Sequence, residues 1–182
     1  MVEKATHQFV TNVGLITSDG PYGPNIMAAE WTHQIAYDPC LIAAIIHPSD
    51  ATHTNIMKSK EFGVNLCAHD QNVFASISGK ETGKEVDKIQ VLQELGVEFY
   101  RAHKINVLMM KGAAMNAECK LFKIIELGDH TMFVGEALKI SAIDKKPLSY
   151  HGRKYWTIGE RIPKPPQNEL DQISKIIEKY TK

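Results

Sequence analysis

Short apolar runs separated by Gly, Pro and Asn/Asp clusters dominate the first two thirds of the chain, and this punctuation predicts strands more than helices. Residues 13–17 (Val-Gly-Leu-Ile-Thr) read as a strand. Residues 18–24 follow with the Gly and Pro density of a tight turn, so a hairpin is expected. Residues 25–36 continue extended until Asp38 and Pro39 break the run, and the apolar stretch 40–46 predicts a strand buried on both faces. The side chains of Ser49, Asp50, Thr52, Thr54 and Asn55 precede Ile56 and Met57 as helix-capping residues do, and such a helix start suits a phosphate-sized anion. Period-two alternation returns over 61–68, with Phe62, Val64 and Leu66 on one face.

Residues 72–77 and 87–95 carry helical spacing, the second capped by Asp87 and closed at Gly96, with a polar loop over 78–85 between them. From 97 to 143 the pattern is mostly strand, turning at Leu127-Gly128-Asp129-His130. Pro163, Pro165 and Pro166 then stop strand pairing, and Leu170, Ile173, Ile177 and Tyr180 recur on one face of a C-terminal helix. No internal repeat is present. The pattern predicts a mainly β chain closed as a Greek-key barrel with peripheral helices: residues 1–162 as one domain and 163–182 as its C-terminal helical extension.

Lys plus Arg (21) balances Asp plus Glu (21), so no net charge draws the chain to nucleic acid or an anionic membrane, and any ligand must be recognised locally. Cys40, Cys67 and Cys119 are odd in number and widely spaced, which fits a reducing cytoplasm better than a disulfide framework. Met1 to His7 lacks the form of a secretory leader, and the longest apolar stretch, 41–46, is far too short to span a bilayer. The eight histidines show no metal-ligand spacing. No GxGxxG, GxSxG or P-loop pattern occurs, which argues against Rossmann, α/β-hydrolase and nucleotidase chemistry.

Six segments taken in order carry a resemblance: Pro24 to Trp31, Ala51 to Ile56, Glu61 to Leu66, Ser78-Gly79-Lys80 with Val86-Asp87-Lys88, Gly128-Asp129-His130 with Phe133 to Glu136, and Pro147 to Tyr150 with Tyr155. Together they resemble the flavin reductase-like FMN-binding split-barrel family. The resemblance implies a homodimeric split β-barrel with FMN near the dimer interface, related to flavoredoxins, ferric reductases and the reductase components of flavin monooxygenases. It implies a flavin wall made by Asn25, Ile26, Met27, Ala28, Ala29 and Trp31, where small side chains let the main chain approach the ring. Thr52, His53, Thr54 and Asn55, with Ser49, would surround the phosphate, and Asn65 and Leu66 would lie on a neighbouring strand. Many relatives carry Arg or Lys just before the Thr-His pair, where this chain has Ser49-Asp50-Ala51, so the countercharge shifts to Lys84 or Lys88.

Bland readings stand beside these. Residues 52–55 can simply cap a helix, Asn65 can bond neighbouring backbone, and Lys80, Lys84 and Lys88 can be solvated. No protein acid or base is required, because the flavin carries the redox chemistry. Three functions stand open: an NAD(P)H-dependent flavin or ferric reductase, with NADH or NADPH entering near Trp31 and Tyr155; a flavoredoxin-like FMN electron carrier reduced by a protein partner; and a non-redox barrel that binds FMN or a different cofactor for sensing or storage.

Overall fold

The computed structural model describes residues 5–181; of the N-terminal stretch read above, Met1 to Lys4 lie outside the described residues. Strands β1 (Thr11–Asn12), β2 (Gly14–Ser18), β3 (Asn25–Ala29), β4 (Thr32–Ala36) and β5 (Leu41–Ile46) lead into helix α1 (Ala51–Ser59) and β6 (Glu61–Leu66). Helices α2 (Asn72–Lys80) and α3 (Lys88–Glu94) come next. Strands β7 (Phe99–Arg101), β8 (Leu108–Met110), β9 (Met115–Leu127), β10 (His130–Ala142), β11 (Leu148–His151) and β12 (Lys154–Thr157) follow, before α4 (Gln167–Glu178).

Seven strands form one sheet in the order β3-β2-β6-β9-β10-β5-β4, with every neighbouring pair antiparallel. The two edge strands, β3 and β4, are consecutive in the chain and separated only by Glu30 and Trp31. Laid flat, the edges of seven strands stand about 29 Å apart, whereas the three-residue step from Ala29 to Thr32 reaches at most about 10 Å. The sheet therefore has to curl. A hydrogen bond from Ile45 N–H to Trp31 C=O (3.0 Å) ties the step down. Smaller sheets, β1-β11-β12 and β7-β8, flank the curl.

Inside the curl pack Ile16, Phe62, Val64, Ala117, Cys119 and Phe133. Phe62 reaches so close to β10 that a Cβ on Gly135 would lie 2.6 Å from its ring, which is why a glycine sits there. A second core of Leu15, Ile26, Ala75, Leu92 and Leu148 joins the sheet to α2, α3 and β11. Asn65 pins the strands together with its full bonding capacity: Nδ2 donates to Leu15 C=O (2.9 Å) and Thr17 Oγ1 (3.2 Å), and Oδ1 accepts from Met110 N–H and Asn116 Nδ2 (both 2.7 Å).

The mainly β curled barrel, the hairpins, the Asp87-capped helix and the turn at Gly128-Asp129 stand as the sequence predicts. Four details differ. Helix α1 begins at Ala51 rather than before Ile56, so Thr52 to Asn55 lie within it. The extended run over 25–36 breaks at Glu30 and Trp31, because the chain must cross from one sheet edge to the other. Strand β5 leaves Leu41 and Ile45 half-buried, so it is not sealed on both faces. Helix α4 forms with its apolar stripe, yet none of its residues is buried.

Replacing Asn65 with Leu keeps the branched heavy-atom skeleton and strands the buried Leu15 and Met110 backbone groups. The expected cost is about 2–4 kcal/mol, or a fall in Tm of roughly 5–15 °C, checked by thermal denaturation.

Candidate functional site

Strand β3 ends the large sheet, so one side of its backbone is unpaired within that sheet, and small side chains at Ala28 and Ala29 leave it approachable. Three cavities follow its length. At the Asn25 end a small cleft of about 40 Å³ is bounded by Asn25, Asp50, Thr52, Ser78, Gly83 and Lys88, among others. Toward Trp31, a cavity of about 180 Å³ lies between residues 27–31 and the side chains of His47, Asp50 and His130. A third, about 350 Å³, lies between Ala28 and Glu30, the α2 residues Ala75 and Gly79, and Tyr150 and Tyr155. The groove along β3 is not filled by the protein's own side chains.

The cleft at Asn25 sets several donors beside the acidic residues Asp50 and Glu81. Lys88 is only 2% exposed, and its Nζ donates to the carbonyls of Ser78 and Glu81 (both 3.0 Å), which leaves one ammonium hydrogen. Burial pushes the Lys88 ammonium down to about 8, against the opposing pull of the Asp50 and Glu81 charges. Ser78 Oγ is buried with no hydrogen-bond partner. Thr52 Oγ1 accepts from Asn25 Nδ2 (2.9 Å) and keeps its own hydrogen to donate. Asp50 is the N-cap of α1 but makes no side-chain capping bond, so the first-turn N–H groups remain available and the helix dipole adds partial positive charge. A side chain on Gly83 would strike the Asn25 carboxamide, and one on Gly79 would lie 3.3 Å from Ala28 Cβ; glycine at both positions lets the α2–α3 loop close over β3. An unpartnered buried hydroxyl, a buried ammonium and a helix start facing one cleft fit a phosphate monoester.

At the other end the surroundings are aromatic. Trp31, 47% exposed, stands 5.0 Å from the His130 ring, and His47 meets His130 edge-on at 5.3 Å. These rings border the cavity that Met27, Ala28 and Ala29 floor.

The structure thus brings Asn25, Met27, Ala28, Ala29, Trp31, Thr52 and Lys88 to one groove. The other expected residues lie elsewhere. Ile26 is fully buried in the second core. Ser49 is exposed and shares a hydrogen bond with His47 Nδ1 (2.7 Å). His53 Nε2 pairs with Thr131 Oγ1 (3.0 Å), its ring set against Phe133, and burial lowers its pKa. Thr54, half-buried on the same helix, does not line the cleft. Asn55 is turned to the β2–β3 turn: it accepts from Tyr22 N–H (3.0 Å) and donates to Ser18 Oγ (3.2 Å) and Gly23 C=O (2.9 Å). Asn65 is the hub described above, and Leu66 pairs with Gly14 and Met115 in the ladder. Lys84 is exposed, its Nζ 5.5 Å above the Tyr22 ring.

Sequence reasoning left out Ser78, Gly79, Gly83, His47 and His130 as lining residues. The first three stood in a stretch read as a polar loop, and His130 in a motif read as turn geometry. Among the described residues no His, Cys, Asp or Glu cluster is arranged to hold a metal, and no helix is long and apolar enough to cross a membrane.

The model of the flavin reductase like domain matches residues 6–159, which includes every strand and the whole groove. The chain belongs to the flavin reductase-like family. Among relatives of this family, the FMN reductase (NADH) SmoA of Agrobacterium fabrum is 25% identical over 144 residues, covering 79% of this chain and 77% of its own. The ferric-chelate reductase (NAD(P)H) of Archaeoglobus fulgidus is 30% identical over 125 residues, covering 67% and 70%. In structure, BorF, the flavin reductase component of a bacterial two-component tryptophan halogenase, superposes with a TM-score of 0.77 at 25% identity over 88% of this chain and 98% of that one. Helix α4 lies beyond the family match.

Lys88 gives a pH test of the cleft. With its folded pKa at about 8 and the ordinary value of 10.5, the unfolded chain binds more protons between these two pH values, so the Lys88 contribution raises stability as pH climbs from about 8 to 10.5. Thermal melts across that range should show the wild type gaining Tm relative to Lys88→Met, which lacks the titration. Parallel pH profiles would contradict the burial of the ammonium.

Proposed function

We propose that this protein is an NAD(P)H-dependent flavin reductase that takes FMN along β3 and passes electrons to free flavin or ferric iron. The observation that carries the proposal is the polarity of the groove. The unpartnered buried Ser78 hydroxyl and the buried Lys88 ammonium stand at the Asn25 end, and a cavity bordered by Trp31, His47 and His130 stands at the other. Relatives named as an NADH-dependent FMN reductase, a ferric-chelate reductase and an NADH-dependent flavin reductase support the reductase over the electron-carrier reading. When bound, the flavin supplies two-electron chemistry at its N5.

The chain's own residues bind and orient. Lys88 Nζ, Ser78 Oγ, Thr52 Oγ1 and the α1 N–H groups hold the phosphate, the first of these by a charge-assisted bond. The open backbone of β3 offers N–H and C=O groups to the polar edge of the ring, and Ala28 and Ala29 keep that approach short. Trp31 and His130 border one side of the ring cavity. Beyond Glu30 and Trp31 a larger cavity of about 580 Å³, reaching His33 and Tyr150, gives the nicotinamide nucleotide an approach. Positioning of two rings face to face is the contribution asked of the protein.

A homodimer, a reducing cytoplasm in keeping with the free thiols of Cys40, Cys67 and Cys119, and residues 163–182 as an extension of a domain ending near 162 belong to the same proposal.

Anaerobic addition of NADH or NADPH to the FMN-loaded protein should bleach the flavin absorbance; failure of both excludes the reductase. Reduction only by an iron–sulfur protein would select the carrier instead. Lys88→Met should weaken FMN about 10–100-fold in a fluorescence-quenching titration while leaving riboflavin, which lacks the phosphate, within about twofold.

A further inference from the structure

We infer that Asp50 opposes the ligand's phosphate and keeps the flavin exchangeable, so that flavin behaves as a substrate rather than a resident group; this rests on the flavin reading above. Asp50 stands at the N-cap of α1 in extended backbone, yet its carboxylate accepts no capping hydrogen bond. It lines both the donor cleft, with Lys88, Ser78 and Thr52, and the ring cavity, with His47 and His130. An acid there benefits the helix dipole while the helix is alone. Once an anion arrives at the same N–H groups, the carboxylate becomes a like charge at close quarters.

The donor set makes this a built site rather than a bare helix end. Ser78 Oγ is 1% exposed, unpartnered and part of the cleft wall, and Lys88 is 2% exposed. The charges around the cleft nevertheless leave little surplus. Lys88 is the buried cation, Asp50 faces it from α1, and Glu81, on the loop after α2, lines the cleft as well, with Lys80 at 3.8 Å from its carboxylate. A dianionic phosphate therefore meets one buried ammonium and at least one carboxylate. Affinity comes from the fixed donors and is reduced by Asp50. With that reduction, reduced flavin leaves the groove and oxidised flavin takes its place, which is how a reductase treats flavin as substrate.

The test is flavin binding by the full chain, followed by fluorescence quenching and by stopped-flow dissociation. Asp50→Asn and Asp50→Ser should each tighten FMN about tenfold, equivalent to about 1.4 kcal/mol, mainly through slower release, with riboflavin unchanged within about twofold. Asp50→Glu, which keeps the charge, should match the wild type. Unchanged or weaker FMN binding in both neutral variants, with circular dichroism showing an intact fold, overturns the inference; equal tightening of FMN and riboflavin overturns it too, since the effect would not lie at the phosphate. If the wild type binds neither flavin, the flavin reading itself falls, whereas wild-type binding with indifferent variants removes only the role of Asp50.

Discussion

The two-residue passage from β3 to β4 governs this structure. Glu30 and Trp31 link strands that lie at opposite ends of a seven-strand order, and the chain satisfies that connection only by curling the whole sheet. The curl encloses Phe62, Phe133 and their neighbours, and the bond from Ile45 to Trp31 fixes the join. The same passage leaves β3 at an edge of the large sheet, with one side of its backbone unpaired within that sheet. Core and groove are two results of one connection.

Polar side chains near the groove divide by whether their bonding capacity is used. Asn55 and Asn65 are saturated by the turn and the strands they brace, so burial makes them rigid and chemically silent. Ser78 and Lys88 are just as buried, but the hydroxyl has no partner and the ammonium keeps a hydrogen. Burial without satisfaction is expensive, and these two groups stand at the cleft with bonding capacity left to give. Composition does not separate the two kinds, since all four are ordinary polar residues.

Strand alternation, Gly/Pro turns and the Asp87 cap made most of the β architecture legible in the sequence, because these signals are local. The ordered segments from Pro24 to Tyr155 pointed to the family and to the β3 residues that line the groove. What escaped was set by tertiary contact. Asn55 lies one turn beyond Thr52 on the same buried face of α1, yet there the β2–β3 turn claims its carboxamide. Lys84 and Lys88 are four residues apart in one charged loop and helix start, and only the fold decides that one is solvated while the other is buried. Ser78 joined the cleft because α2 runs on to Lys80, carrying its hydroxyl under the loop.

The edge position of β3 also limits how ligand preference can drift. Its residues serve as barrel seam and as the floor of the groove together, so a bulky substitution at Ala28 or Ala29 disturbs both. The flanks are free of that double duty: the loop from Glu81 to Asp87, the turn at Asp129 and the β11–β12 hairpin each face the groove from one side and carry little of the inner core. The rim can therefore change without disturbing the seam, whereas the floor cannot.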